Sequence, residues 1–309
     1  MTSLTIKQLR YVEAAGRTGS IAAAAADLNI SQSSITAAID ALETDMGFDL
    51  FTRVPAKGLM ITSAGQQCLT LIGDFLCTFR EFQSELGAIG GTSSGTIRLA
   101  CFAAAAAIFL PHAIATFQRQ YPGIRFEMVE GNMDTVVRDL DEGRADLAFT
   151  YREVVGNGQH FHHLIDLPLF ALLSADDPLS QRPSVSLAEL AQKPMIELNL
   201  PLTRSYYSSF FRKVGLEVQV VHSSSSVAMI RTMVAANLGF TLLNAKPLAV
   251  LDDRGGFRAV PLRDAVTPRQ FGLVTQARMR QPRAVIDFHS HCETVRANGG
   301  FEQMAVRLP

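Results

Sequence analysis

The chain has 309 residues, 48% of them hydrophobic and 18% charged, with a net charge of −1. That fits two or three folded domains and excludes a low-complexity or disordered chain. No apolar run reaches membrane-spanning length, and the start MTSLTIKQLR lacks the basic-then-apolar order of a signal peptide, so the cytoplasm is the expected compartment and no membrane partner is expected. Residues 1–65 carry five basic side chains (Lys7, Arg10, Arg17, Arg53, Lys57) against six acidic ones. Bulk positive charge is therefore not available as a route to nucleic acid, and any such role must rest on placed contacts.

Thr5-Ile6-Lys7-Gln8 has the spacing of a capping box, and Ile6, Leu9 and Val12 then share one helical face to about Gly16. Ser20 is placed to cap an alanine-rich second helix ending near Leu28. After a short polar turn at Asn29-Ile30, Ser31 caps a third helix whose buried stripe is Ile35, Ala38, Ile39, Leu42 and Met46. Two short helices, a brief turn and an N-capped second helix describe a helix-turn-helix, whose partner is double-stranded DNA. Gln32, Ser34 and Thr36 lie at the leading edge of that helix, with Ser33 facing outward. The Gln32 amide suits a bidentate pair with adenine, while Ser31, Ser33, Ser34 and Thr36 suit phosphate or single base contacts. Asp40 and Thr44 read as a solvated face.

After Gly47 the period changes. Leu50–Arg53 and Leu59–Ile61 read as two short strands around the turn Pro55-Ala56-Lys57-Gly58. Such a wing carries Arg53 and Lys57 beside the recognition helix, where they suit phosphate or minor-groove contact. A surface hairpin with incidental charge is the alternative.

The run from Leu9 through Gly65 includes Gly19-Ser20, Ala23–Ala26, Leu28, Ser31-Gln32, Thr36, Ile39, Leu42-Glu43, Gly47, Leu50-Phe51, Arg53, Thr62 and Ala64-Gly65. In this order it resembles the LysR-type transcriptional regulators. Ser33 stands where that family usually has proline, and Ala37-Ala38 stand where it often has Arg or Gln, so fewer side chains can read bases. The resemblance implies an operator or promoter site in DNA, with RNA polymerase as a further partner there.

Ser63–Gln66 reads as a second capping box, opening a helix to about Ile89 of about 40 Å. Leu69, Ile72, Leu76, Phe79 and Leu86 form a coiled-coil-like stripe, with Gln83 in the skipped seam position. The stripe lies between two domains, which favours a dimer seam over packing within one domain, and the resemblance implies the same. The expected partner is a second copy of the chain; a tetramer is a further step that this stripe does not set. Gly90–Gly95 then reads as a hinge. It holds a literal G-x-S-x-G from Gly91 to Gly95, but a helix precedes it and a strand follows, the reverse of a nucleophile elbow.

From Thr96 strands alternate with helices, which argues for doubly wound α/β subdomains. The expected strands are 97–101, 125–130, 147–150, 169–173, 195–198, 218–222, 239–243 and 271–274, and the last helix is 283–295. The segment from Ile97 to Phe149 resembles the first half of the family's effector domain, which is similar to a periplasmic binding protein. The expected organisation is a winged helix-turn-helix over 1–62, a linker helix over 63–90 and a two-lobed α/β effector domain over 91–309. Lobe I spans about 96–167 plus 269–309, and lobe II about 168–268.

In such folds a ligand sits at the carboxyl ends of the strands, against helix N-termini. The candidate contacts are Cys101, Phe102, Ala103 and Ala104; Asn132; Thr150 and Tyr151; Asn199, Thr203 and Arg204; and Ser223, Ser224, Ser225 and Ser226. Arg204 and the serines are the polar candidates, Phe102 and Tyr151 can cover a ring or alkyl chain, and a small carboxylate is the expected effector. The serine run can equally serve only to cap its helix.

Other readings have weaker support. A thiol redox sensor would need a reactive pair, for which Cys101 and Cys292 are the candidates. His160-Phe161-His162-His163 and His289-Ser290-His291-Cys292 are two leads to a metal, neither with a third ligand nearby. No catalytic motif stands in its required context, and no cofactor is expected. A solute-binding protein without a regulatory role would leave residues 5–65 unexplained.

Overall fold

The computed structural model describes residues 4–54, 58–89, 95–246, 256–277 and 281–309. Lys57, the turn 55–57 and the hinge residues 90–94, with most of the G-x-S-x-G string, lie outside the described residues. The chain divides between residues 90 and 91 into two units.

In the first unit, α1 (Ile6–Thr18), α2 (Ile21–Asp27) and α3 (Gln32–Met46) are followed by β1 (Phe51–Val54), β2 (Gly58–Ile61) and α4 (Ser63–Ile89). Each of the first three starts where a side chain can satisfy an orphan backbone donor. Thr5 and Gln8 form the reciprocal box, Ser20 accepts from the Ala23 N–H, and Ser31 accepts from the Ser34 N–H. The cap of α4 falls one residue earlier than the sequence suggests: the Thr62 hydroxyl accepts the Gly65 N–H at 2.8 Å. Val12, Ala15, Ala24, Ile35, Ile39 and Leu42 fill the core of this head.

The wing is an antiparallel ribbon with Arg53 opposite Leu59, and it is tied to the helices at both ends. Glu43 Oε1 on α3 accepts from the Leu50 and Phe51 N–H groups at 2.7 and 3.0 Å, and the Leu59 N–H donates to the Gly19 carbonyl at 2.8 Å. Gly65 is required by close approach, because a Cβ there would stand 2.1 Å from the Leu50 carbonyl oxygen.

The second unit holds two sheets. The lobe I sheet has the order β4 (Ile124–Gly131), β3 (Gly95–Phe102), β5 (Leu147–Tyr151), β12 (Arg269–Gln276), β6 (Gln159–Leu167). Its first three strands are parallel and β12 is antiparallel to both neighbours. Helices α5 (Ala103–Gln118), α6 (Met133–Asp141) and α10 (Arg283–Ala297) belong to this lobe, with Phe109, Phe117, Phe149, Phe271 and Phe288 in its core.

Lobe II pairs β7 (Phe170–Ser174) with β10 (Thr241–Leu243) and β11 (Phe257–Pro261), and β8 (Met195–Leu198) with β9 (Val220–Ser224). A bridge from Met195 to Phe240 joins the two groups. Helices α7 (Leu187–Leu190), α8 (Arg204–Lys213) and α9 (Val227–Ala235) complete the lobe. The chain passes to lobe II between β6 and β7 and returns between β11 and β12. The tail belongs to both lobes, with Met304 in the core of lobe I and Val306 in that of lobe II. Among the described residues no helix is long and apolar enough to cross a membrane.

Candidate functional site

The leading turn of α3 is built by its serines. Ser31 Oγ lies 2.8 Å from Ser33 Oγ and 2.9 Å from Ser34 Oγ, so the three hydroxyls form one local cluster. Between them Gln32 is exposed and makes no hydrogen bond among the described residues. Its amide keeps both a donor and an acceptor for an outside partner, which is what bidentate adenine readout needs. Thr36 is half-buried one turn later. Arg53 projects from β1, but its Nη2 stands 3.0 Å from Asp40 Oδ1 on α3. The sequence reading missed that pairing and placed Asp40 on a merely solvated face.

The linker stripe needs correction. Ile72 and Leu76 are buried in the head's own core, with Leu69 packed against it. Helix α4 lies back along α1, where Gly16 makes room for Leu69: a Cβ on Gly16 would stand 2.6 Å from a Leu69 methyl carbon. Phe79 is half-buried, and Gln83 and Leu86 are exposed. Among the described residues, the large apolar side chains left uncovered on α4 are Leu71, Phe75, Phe82 and Leu86. With the exposed Thr78, Leu71, Phe75 and Phe82 repeat at spacings of four, three and four, the spacing of a coiled-coil stripe on a different face from the expected one. Beside it a groove of about 370 Å³ is lined by Leu9, Met46, Phe48, Leu71, Ile72 and Phe75, among others.

In the sensor, several predicted contacts are occupied by structure. Asn132 Oδ1 caps α6, accepting from the Asp134 and Thr135 N–H groups, both at 3.0 Å. Ser226 caps α9 and Ser224 Oγ accepts the Ser226 N–H, so these two serve the helix as the plainer reading expects, while Ser223 and Ser225 are exposed. Arg204 pairs with the buried Glu197 at 3.2 Å, Asn199 is exposed, and Thr203 is fully buried. Ala103 and Ala104 open α5 directly after the buried Cys101 and Phe102, with no side-chain cap. The Thr150 hydroxyl is buried with no hydrogen-bond partner among the described residues, and the buried ring of Tyr151 meets Phe102 edge-on.

A polar cluster between the lobes, centred on Arg269, is one the sequence reading did not single out. Arg269, at the start of β12, is 6% exposed. Its guanidinium lies 4.2 Å from the ring centre of Tyr151 in lobe I and 4.1 Å from that of Tyr206 in lobe II. It forms an ion pair with Glu153 and reaches Met133 Sδ at 3.4 Å. Asn244 Nδ2 bonds the Leu167 carbonyl at 3.0 Å and Tyr206 Oη at 3.5 Å. Burial pushes the Tyr151 and Tyr206 hydroxyls up against the opposing effect of Arg269, so both stay protonated donors.

Residues 6–66 match the family described as bacterial regulatory helix-turn-helix protein, lysR family, and residues 90–297 match the LysR substrate binding domain. The chain belongs to the LysR family of transcriptional regulators. This LysR regulator is 27% identical over 265 residues to the HTH-type transcriptional activator CmpR of Synechocystis sp., covering 82% of this chain and 86% of that one. It is 29% identical to HinK, a LysR family regulator of Pseudomonas aeruginosa, whose crystal structure superposes with a TM-score of 0.60 over 94% of this chain and 98% of HinK. The fold is shared with full-length CbnR complexed with its target DNA, at 19% identity and a TM-score of 0.64 over 94% and 99% of the two chains. The regulator thus joins a DNA-binding head to a two-lobed effector-binding domain.

All four of its cysteines are buried. Burial is the main cause that pushes the Cys101 and Cys292 thiols up to about 12, which opposes the thiolate that redox sensing requires. The two histidine-rich strings do meet, with the His162 and His289 rings 4.1 Å apart. No group of three or more His, Cys, Asp or Glu among the described residues could hold a metal ion.

Proposed function

We propose that this regulator works in the cytoplasm, reads an operator with the leading turn of α3 and grips the flanking backbone with the wing. The observation that carries this is Gln32, exposed on the N-terminal turn of an N-capped α3 with its amide uncommitted. Ser31, Ser33, Ser34 and Thr36 supply shorter contacts beside it, and Arg53 and Lys57 supply charge. With six acids against five bases across residues 1–65, one head binds weakly, so two heads act together.

Pairing is through α4, along Leu71, Phe75, Thr78 and Phe82, with Leu86 continuing the face. The effector is a small carboxylate held between the lobes, where a buried arginine and two tyrosine hydroxyls supply donors. Selection of bound genomic fragments by the full chain, followed by footprinting with and without metabolite pools, tests the reading. The expected result is a protected site bound at least a thousandfold tighter than random DNA, an order of magnitude set by known specific binders. Equal affinity for selected and random fragments would sink it.

A further inference from the structure

A buried arginine must keep a counter-ion, because an unpaired charge away from water is costly. Arg269 lies against the rings of both Tyr151 and Tyr206, so it cannot swing to solvent without leaving two rings from two lobes. Its partner Glu153 is different. It sits on the short turn Arg152–Val154 with its side chain 44% exposed, so it can move to water at small cost to itself once another anion takes its place beside Arg269. The pair therefore joins a fixed cation to a removable anion. Nearby, Asn244 Oδ1 is buried with no hydrogen-bond partner among the described residues, an acceptor left over beside the Tyr206 hydroxyl.

Resting on the effector reading above, we propose that Arg269 is the carboxylate-recognition residue between the lobes, and that Glu153 is an internal stand-in which the effector's carboxylate displaces. Glu153 meets the guanidinium Nε and Nη2 through one oxygen, Oε1, and a planar carboxylate offers the same charge with a second oxygen to spare. The exchange conserves charge at Arg269 and frees the 152–154 turn. Because the guanidinium is stacked on Tyr206 of α8 as well as on Tyr151 of β5, the event is sensed by both lobes at once. The stand-in also sets a threshold, since the ligand must outcompete a carboxylate that is always present.

Calorimetric titration of the full chain with sodium acetate and sodium benzoate, with benzamide as the neutral control, tests the exchange. In Glu153→Gln the competitor is gone, and a carboxylate should bind about tenfold tighter than to the unaltered protein, the factor expected when the competent state rises from a tenth to full population. Benzamide should bind neither. The double variant Glu153→Gln/Arg269→Gln leaves no unpaired charge to unfold the site and should lose carboxylate binding altogether. Equal affinities with and without Glu153, carboxylate binding retained by the double variant, or no carboxylate binding to folded Glu153→Gln would each overturn the proposal. Operator affinity measured on the same samples separates these outcomes from failure of the DNA-binding reading, which would show as loss of specific binding in the unaltered protein.

Discussion

Arg53 of the wing and Asp40 of the recognition helix hold each other, Nη2 to Oδ1, at 3.0 Å. Both side chains are more than half exposed, so the pair stabilises the fold by well under about 1 kcal/mol. Its effect is on binding, since a phosphate must draw Arg53 away from a carboxylate that remains nearby and repels the DNA backbone. Asp40→Asn should therefore raise non-specific DNA affinity about threefold at low salt and steepen the salt dependence by up to about one unit of slope. Arg53→Ala should weaken specific and non-specific binding alike. Anisotropy titrations over a salt series would show this, and an unchanged slope in Asp40→Asn would mean that Arg53 does not reach phosphate.

Gln32 should behave in the opposite way. Its exposed amide reads sequence rather than charge, so Gln32→Ala should cost operator binding about 1–3 kcal/mol, roughly 5- to 150-fold. Affinity for random DNA should stay the same. The ratio of specific to non-specific affinity is the quantity to measure, and a ratio equal to that of the unaltered protein removes Gln32 as a base reader.

Self-association should follow the exposed row of α4 rather than the buried one. Phe75→Glu and Phe82→Glu place charge on uncovered positions, so they should yield folded, smaller assemblies in analytical ultracentrifugation. Leu76→Ala acts on a side chain 4% exposed in the head core and should lower head stability by about 2–4 kcal/mol instead. If Phe75→Glu left the assembly intact, the seam would lie elsewhere.

These contrasts show what the sequence made legible. The caps at Thr5, Ser20 and Ser31 are local, each decided within three residues, and they could be read directly. The stripe Leu69-Ile72-Leu76 correctly announces a buried face, but periodicity does not say what covers it, and the cover is α1 of the same head. Strand β6 (Gln159–Leu167) escapes the hydrophobic pattern because its first half, Gln-His-Phe-His-His, is largely polar. The Arg269 cluster is the most distant case. Arg269, Tyr151 and Tyr206 come from β12, β5 and α8, with Glu153 on the 152–154 turn, and only the fold brings them together. The single local sign was one basic residue opening the apolar strand that follows Gln270.

Burial of His162 and His289, whose rings meet at 4.1 Å, should make stability depend on pH. Burial is the first cause that lowers both pKa values from 6.5; for His162, His289 and His160 lower it further. On β12 the neighbour is the neutral Thr275 hydroxyl, 3.2 Å from His162 Nε2. On α10 it is Glu293, 4.0 Å from His289 Nε2 and partly claimed by Arg296 at 2.9 Å. Glu293 opposes the shift at both histidines without reversing it. A lowered folded-state pKa means that the fold binds fewer protons than the unfolded chain near pH 6.5, so stability rises with pH. The contribution is complete above 6.5 and is lost as pH falls from there to the lowered folded value. Melting of the effector domain should therefore move to lower temperature between pH 7.5 and 5.5. His289→Gln removes one titrating ring and its repulsion of the other, so its melting temperature should fall less over the same interval. His291, also lowered by burial, keeps the dependence from vanishing. Parallel curves for the variant and the unaltered protein would show that the pair does not couple protonation to folding.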